Sequence, residues 1–263
     1  MADRYLARDD APFGPETWKV LDDTMKAAAK SQLAGRRLLH IEGPHGLGLK
    51  AVPLLDAEVE PGLIASSSIP LSLIQTTFTL SKRDLAAYER DRVVLNTEPV
   101  TSAAIDCARL EDTLLFRGAP TAPGLLTAEG SNTLKFRPWD EVGTASEDII
   151  KAVTTLDGAG FHGPYCLALV PSRYNLLYRR YPQGNVSELE QVETIVREGI
   201  FKAPILDGGG VLLASGRQFA AIVLGQDMSV GFIGPVAEKL EFSISESLAL
   251  LVRAPGAICV LKE

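Results

Sequence analysis

Gly35-Arg36-Arg37-Leu38-Leu39-His40-Ile41-Glu42-Gly43-Pro44-His45-Gly46 is a short apolar-centred run that breaks into a tight turn. Arg36 to Glu42 reads as a strand, and Gly43-Pro44-His45-Gly46 as the turn that re-aims the chain. Glycine supplies the backbone freedom such a turn needs. Gly43 to Gly48 has the glycine content of a phosphate loop but lacks the Gly-Lys-Ser/Thr ending. Lys50 falls where extended structure begins, not on a helix N-terminus, so no nucleotide site is expected here.

On the N-terminal side, residues 1–15 are polar and broken by Pro12, Gly14 and Pro15, so they should be loosely held unless a neighbour docks them. Pro15 opens a helix. Trp18, Leu21, Met25, Ala28, Ala29 and Leu33 recur at three- and four-residue steps, and Gly35 is placed to end it. On the C-terminal side, Leu49–Val59 and Ile69–Leu80 roughly alternate and flank a soft tip from Pro61-Gly62 to Ser68. This predicts a long hairpin with too few apolar residues for a core. A two-stranded ribbon is marginal in water, and its open edges invite pairing with another chain.

Ser81 to Arg92 reads as a short helix with Ser81 as N-cap. Thr97 to Arg117 reads as a long one, with Val100, Ala103, Ala104, Cys107, Leu110 and Leu114 on one face and Gly118 closing it. A second compositional unit runs from about Trp139 to Gly234. It predicts a helix near Ser146–Leu156, a buried strand at Tyr165–Val170, and helices near Pro171–Arg180 and Ser187–Glu198. Val211–Ala214 and Phe219–Leu224 read as a hairpin after the Gly208-Gly209-Gly210 turn. Leu240, Phe242 and Ile244 then alternate with Glu241, Ser243 and Ser245, and Ala257–Leu261 forms a final buried strand. The fold class is α+β.

The chain has 263 residues, 46% hydrophobic and 22% charged, enough material for a sizeable core. Its net charge of -7 argues against a nucleic-acid surface, which needs clustered Lys and Arg. Cys107, Cys166 and Cys259 lie far apart without metal spacing, so reduced buried thiols and a cytoplasmic home are expected. The opening Met-Ala-Asp-Arg-Tyr lacks the apolar core of a signal peptide. No apolar run approaches the ~20 residues needed to span a bilayer.

Catalytic constellations are sparse. Of His40, His45 and His162, two sit in glycine-rich turns, and Ser66-Ser67-Ser68 lacks the strand-to-helix elbow of a hydrolase serine. Glu188, Glu190 and Glu193 read as a solvated helical face rather than a metal site.

Leu224-Gly225-Gln226-Asp227-Met228-Ser229-Val230-Gly231-Phe232, taken with the Gly35–Gly46 stretch, resembles the encapsulins (family 1, linocin/bacteriocin type). These are shell proteins that share the fold of tailed-bacteriophage major capsid proteins. Ser68-Ile69-Pro70-Leu71 through Thr77-Phe78-Thr79-Leu80, Leu115-Phe116-Arg117-Gly118 and Gly163-Pro164-Tyr165 fit the same family in the same order.

The resemblance implies a peripheral lobe, an axial lobe and an extended β-hairpin arm. The first 45 residues, 75–127 and 235–263 would form the peripheral lobe, 128–234 the axial lobe, and 46–74 the arm. It also implies an icosahedral homo-oligomer that encloses a cargo enzyme, a ferritin-like protein or a dye-decolorizing peroxidase, carrying a C-terminal targeting peptide. Iron storage or protection from oxidative stress would follow, and the shell itself would not be an enzyme. Its implied peptide groove is walled by Met25, Ala28, Ala29, Gln32 and Arg36, with Leu240 and Phe242. His40 stands where relatives carry an acidic residue. The implied pore loop is Tyr181, Pro182, Gln183, Gly184, Asn185, Val186 and Ser187, polar but uncharged. Some relatives bind a flavin. Here only Arg83 and Tyr88 lie near such a site, so no cofactor is expected, nor nucleic acid or membrane. The rival readings are a phage-type capsid subunit packaging DNA and a bacteriocin-like hydrolase.

Overall fold

The computed structural model describes residues 5–120, 122–182 and 184–263. The chain divides into two compact units. One takes the chain up to Leu33, Gly43–Glu111 and Val223–Ala249, and the other takes Ala34–Glu42, Asp112–Ile222 and Leu250–Glu263.

The first unit is built on three antiparallel strands. The long strand Lys239–Val252 pairs along one edge with Ser72–Ser81 and along the other with Ser229–Val236. The alternation read from the sequence holds as far as Ile244: Leu240, Phe242 and Ile244 are buried while Glu241 and Ser243 are half-exposed, but Ser245, expected on the outer face, is buried and meets the Gln226 amide. The helix Pro15–Gln32 opens at a proline, which has no N–H to lose there, and buries Trp18, Leu21, Met25, Ala28 and Ala29. Phe242, wholly buried, stacks on its cross-strand partner Phe78 with ring centroids 5.1 Å apart. Phe232, Trp18 and Phe13 surround it. The helix Lys82–Asp91 follows, capped by Ser81 Oγ, which accepts from the Asp84 N–H at 3.3 Å.

The arm is shorter than expected. Ala51–Pro53 pairs with Ser68–Pro70, and Ala57–Glu60 with Leu63–Ala65. The expected strand Ile69–Leu80 breaks at Leu71. Pro70 has no N–H to extend a ladder, the Leu71 N–H turns to the Lys50 carbonyl at 2.9 Å, and Ser72–Ser81 pairs instead with the long strand.

The second unit holds a five-stranded sheet in the order Ile200–Lys202, Tyr165–Leu169, Gly210–Ala214, Ile258–Lys262, Asn132–Lys135. The two outer pairings are parallel and the two inner ones antiparallel. Tyr165–Leu169 and Gly210–Ala214 are buried throughout. The helix Thr144–Gly158 packs against this sheet, and Glu188–Ile195 packs beside that helix.

Three expectations are corrected here. Val211–Ala214 and Phe219–Leu224 do not form a hairpin. Both edges of Gly210–Ala214 are taken by Tyr165–Leu169 and Ile258–Lys262, and Ala220–Leu224 has His40–Glu42 as a neighbour. The last strand, Ile258–Lys262, belongs to this sheet. Arg36 to Leu38 is not strand but part of a helical turn, Gly35–Leu38, nucleated by the Asp112 carboxylate, which accepts from the N–H groups of Ala34 and Gly35 at 2.9 Å each. On Glu98–Arg117 the buried stripe passes through Val100, Ala104, Cys107, Ala108 and Leu115, leaving Leu110 exposed and Leu114 half-buried. Gly118 does end that helix. Its φ is +84°, and a Cβ there would lie 2.5 Å from the Ala122 carbonyl.

The three cysteines are buried and unbridged. Burial pushes the Cys166 and Cys259 thiols up to about 11.

Candidate functional site

The peptide-groove residues expected from the sequence fall into two sets. Met25, Ala28, Ala29, Leu240 and Phe242 are buried, Met25 to 2% exposure, and they belong to the first unit. Their periodicity is that of core packing, and a core stripe and a groove wall share the same spacing. Gln32 is half-buried at the helix end. Arg36 lies in the second unit, half-buried on the Gly35–Leu38 turn.

An open apolar groove of about 450 Å³ exists nearby in sequence terms, but different residues form most of it. Pro12 and Phe13 supply one wall, Leu85 and Ala86 of the helix Lys82–Asp91 another, and Phe232 and Leu240 also line it. Only Leu240 was legible beforehand. Residues 5–14, ahead of the first helix and expected to be loosely held unless a neighbour docks them, are docked within the first unit and supply this wall. Arg8 pairs bidentately with Asp22 at 2.6 and 2.9 Å, its Nε donates to the Val230 carbonyl at 2.8 Å, and its guanidinium covers Trp18. Leu6 is buried, and the Gly14 N–H donates to Glu89 at 3.0 Å.

The pore-loop residues are held together. The Tyr181 N–H donates to the Val186 carbonyl, Gly184 N–H to the Tyr181 carbonyl, both at 3.2 Å, and Arg180 bridges to Ser187 across the base. Pro182, Gly184, Asn185 and Val186 are exposed; Gln183 lies outside the described residues. Arg180 Nη1 donates to Asn185 Oδ1 at 2.8 Å.

Ser187 ends the loop and starts a helix through a reciprocal capping box with Glu190. The Ser187–Glu190 spacing is the sequence signal for it.

The residue that sequence reasoning missed is Glu188. It is not on a solvated face but wholly buried. Its Oε1 accepts from the N–H groups of Gly143 and Ser146 at 2.9 and 3.1 Å, and its Oε2 faces Arg179 at 3.4 Å. Arg179 in turn donates to the Trp139 carbonyl at 2.7 Å. Asp148 completes the support. Burial pushes its carboxyl up, but hydrogen bonds from the Arg137 backbone and guanidinium and from Trp139 outweigh that and hold it below the usual carboxylate value. A buried carboxylate anchoring a loop root leaves no period in the sequence to find it by.

Tyr88, the nearby aromatic candidate for a flavin, has its face covered by the Arg92 guanidinium at 5.7 Å. Among the described residues no group of three or more His, Cys, Asp or Glu side chains could hold a metal ion, and no helix is long and apolar enough to cross a membrane.

A family model described as "Encapsulating protein for peroxidase" matches residues 3–249. The type 1 encapsulin shell protein EncA of Myxococcus xanthus is 30% identical over 276 residues, covering 98% of this chain and 96% of its own length. The chain belongs to the encapsulin family. The fold agrees: a virus-like particle protein from Pyrococcus furiosus superposes with a TM-score of 0.78 at 22% identity, covering 94% of this encapsulin and 100% of that chain. The capsid protein of Myoviridae phage XM1 superposes with a TM-score of 0.59 at 15% identity, covering 85% and 88%. This encapsulin therefore has the phage major-capsid fold, and it is a shell protein that forms a capsid-like assembly.

Proposed function

We propose that this encapsulin closes into a hollow icosahedral compartment in the cytoplasm that sequesters a cargo enzyme, the shell itself catalysing nothing. The observation that carries the assembly reading is the arm. Val59, Leu63 and Ile64 are exposed on a short ladder that has no core of its own, and Leu55 is exposed just ahead of it. A second copy of the chain is the partner such a ribbon fits, since its open edge hydrogen bonds and apolar side chains are then buried together.

The cargo is a peroxidase, a reading supported by the description of the matching family. Its C-terminal targeting peptide docks at the first helix and the adjoining apolar groove, reaching Leu240 between Phe13, Leu85 and Phe232, with Gln32 as a polar contact. Met25, Ala28, Ala29 and Phe242 support that wall from beneath. Tyr181 to Ser187 ring the pore, which admits small molecules by size with little charge preference, because the loop itself carries no charge.

The test is co-expression with a peroxidase bearing its C-terminal peptide, followed by electron microscopy and cargo quantification. Ala86→Arg, an exposed groove position, should leave hollow particles intact and remove most cargo. Full loading of that variant would sink the groove, nucleic-acid-filled particles would favour the DNA-packaging alternative, and a small oligomer would overturn the shell reading.

A further inference from the structure

The arm carries acids with nothing of its own to balance them. Asp56, Glu58 and Glu60 are exposed, and from Ala51 to Ser81 the chain has no Lys, Arg or His. Asp56 accepts from Ser66 Oγ at 2.7 Å and Glu58 from the Gly62 N–H at 3.0 Å. These hydrogen bonds orient the two carboxylates within the hairpin but bring no cation to them. Among the described residues, no cationic side chain pairs with Asp56, Glu58 or Glu60.

The opposite imbalance lies in the second unit. Lys135 closes the strand Asn132–Lys135, the end strand of its sheet, and stands in register with Lys262 of the strand beside it. Matched positions on paired strands put both side chains on one face, and both lysines are exposed. Among the described residues neither ammonium group has an ion-pair or hydrogen-bond partner. Glu263, the adjoining acid, is taken by Arg173 at 3.3 Å. Two ammonium groups held side by side repel unless an anion lies against them.

Resting on the shell reading above, we infer that the acidic arm of one copy docks on the Lys135–Lys262 pair of a second copy. Asp56, Glu58 and Glu60 supply the carboxylates that the lysine pair lacks, and the lysines supply the cations that the arm lacks. The two charge clusters sit on different elements, so the contact is heterologous, of the kind that repeats from copy to copy until an assembly closes. Complementary charge of this sort fixes the register of an interface and rejects wrong docking, since like charges brought together repel. Because both clusters are exposed, salt weakens their attraction.

The test uses particles assembled from a mixture of isotope-labelled and unlabelled chains, treated with a zero-length carbodiimide that joins carboxylate to amine. Mass spectrometry should find mixed-isotope crosslinks between the tryptic peptide 51–82 and Lys135 or Lys262. In parallel, Lys135→Glu with Lys262→Glu should stay folded by circular dichroism but yield about tenfold fewer particles, and adding Asp56→Lys, Glu58→Lys and Glu60→Lys should restore most of them. Wild-type particles without these crosslinks, or full assembly of the lysine-pair variant, would overturn the docking surface and leave the shell reading standing. Loss of assembly that the arm reversal does not restore would also overturn it. A wild-type chain that forms no particles would overturn the shell reading itself, and this contact with it.

Discussion

The His45 N–H donates to the carbonyl of Leu224 at 2.9 Å, and the Gly46 N–H follows to the Gly225 carbonyl. The turn Gly43-Pro44-His45-Gly46 is thus docked on the start of the Leu224–Phe232 stretch. Gly43 sits at φ +115°, and a Cβ there would lie 2.6 Å from the Leu224 carbonyl oxygen. Gly43→Ala should therefore cost about 1–3 kcal/mol, read as a lowered urea midpoint. An unchanged midpoint would show that the turn is not held by this contact.

Phe242 is the centre of the first unit's ring cluster. Phe242→Ala should destabilise by about 3–5 kcal/mol through the cavity it leaves, while Phe242→Leu, which leaves a smaller one, should cost less. Thermal unfolding of both variants measures the difference, and equal losses would argue that the stacking on Phe78 matters more than volume.

Glu188 anchors the loop before Tyr181–Ser187 closes. Glu188→Ala leaves the Gly143 and Ser146 N–H groups without this acceptor and Arg179 without its carboxylate partner. A loss of about 3–5 kcal/mol is expected, with faster amide exchange across 181–187. Glu188→Gln keeps one acceptor and should lose less. Hydrogen exchange that stays at wild-type rates in the alanine variant would refute the anchoring role.

Asp148 sets an acid limit. Its carboxyl is held below the ordinary value of 3.8, so the unfolded chain takes up that proton before the folded one does as pH falls. The stabilisation is complete above that value and is lost as pH drops through the folded one. Asp148→Asn should be less stable at pH 7, with the gap to wild type closing below about pH 4. A gap constant down to pH 3 would exclude this linkage.

Ile64, 68% exposed on the hairpin, buries little of its side chain within the subunit. Ile64→Asp should leave the subunit folded by circular dichroism but shift it from particle to small species on size exclusion. Normal particles from this variant would remove the arm from the assembly interface.

The sequence by itself determined the local elements wherever one side of the chain faces a core. The 3.6-residue stripe of the first helix, the Ser81 cap, Gly118 and the alternation of Leu240, Phe242 and Ile244 follow from steric and hydrophobic rules acting within a few residues. It also determined the family, because motif order spans the chain. Tertiary structure alone decided partners. Whether Met25 faces a groove or a core depends on what lies across from it, and periodicity is the same in both cases. The fate of Ser72–Ser81, Gly210–Ala214 and Ala220–Leu224 depended on which strand edges were free, a property of the whole sheet. The Glu188 anchor joins residues far apart in sequence, Gly143 and Ser146 to Glu188, by packing that no local pattern encodes.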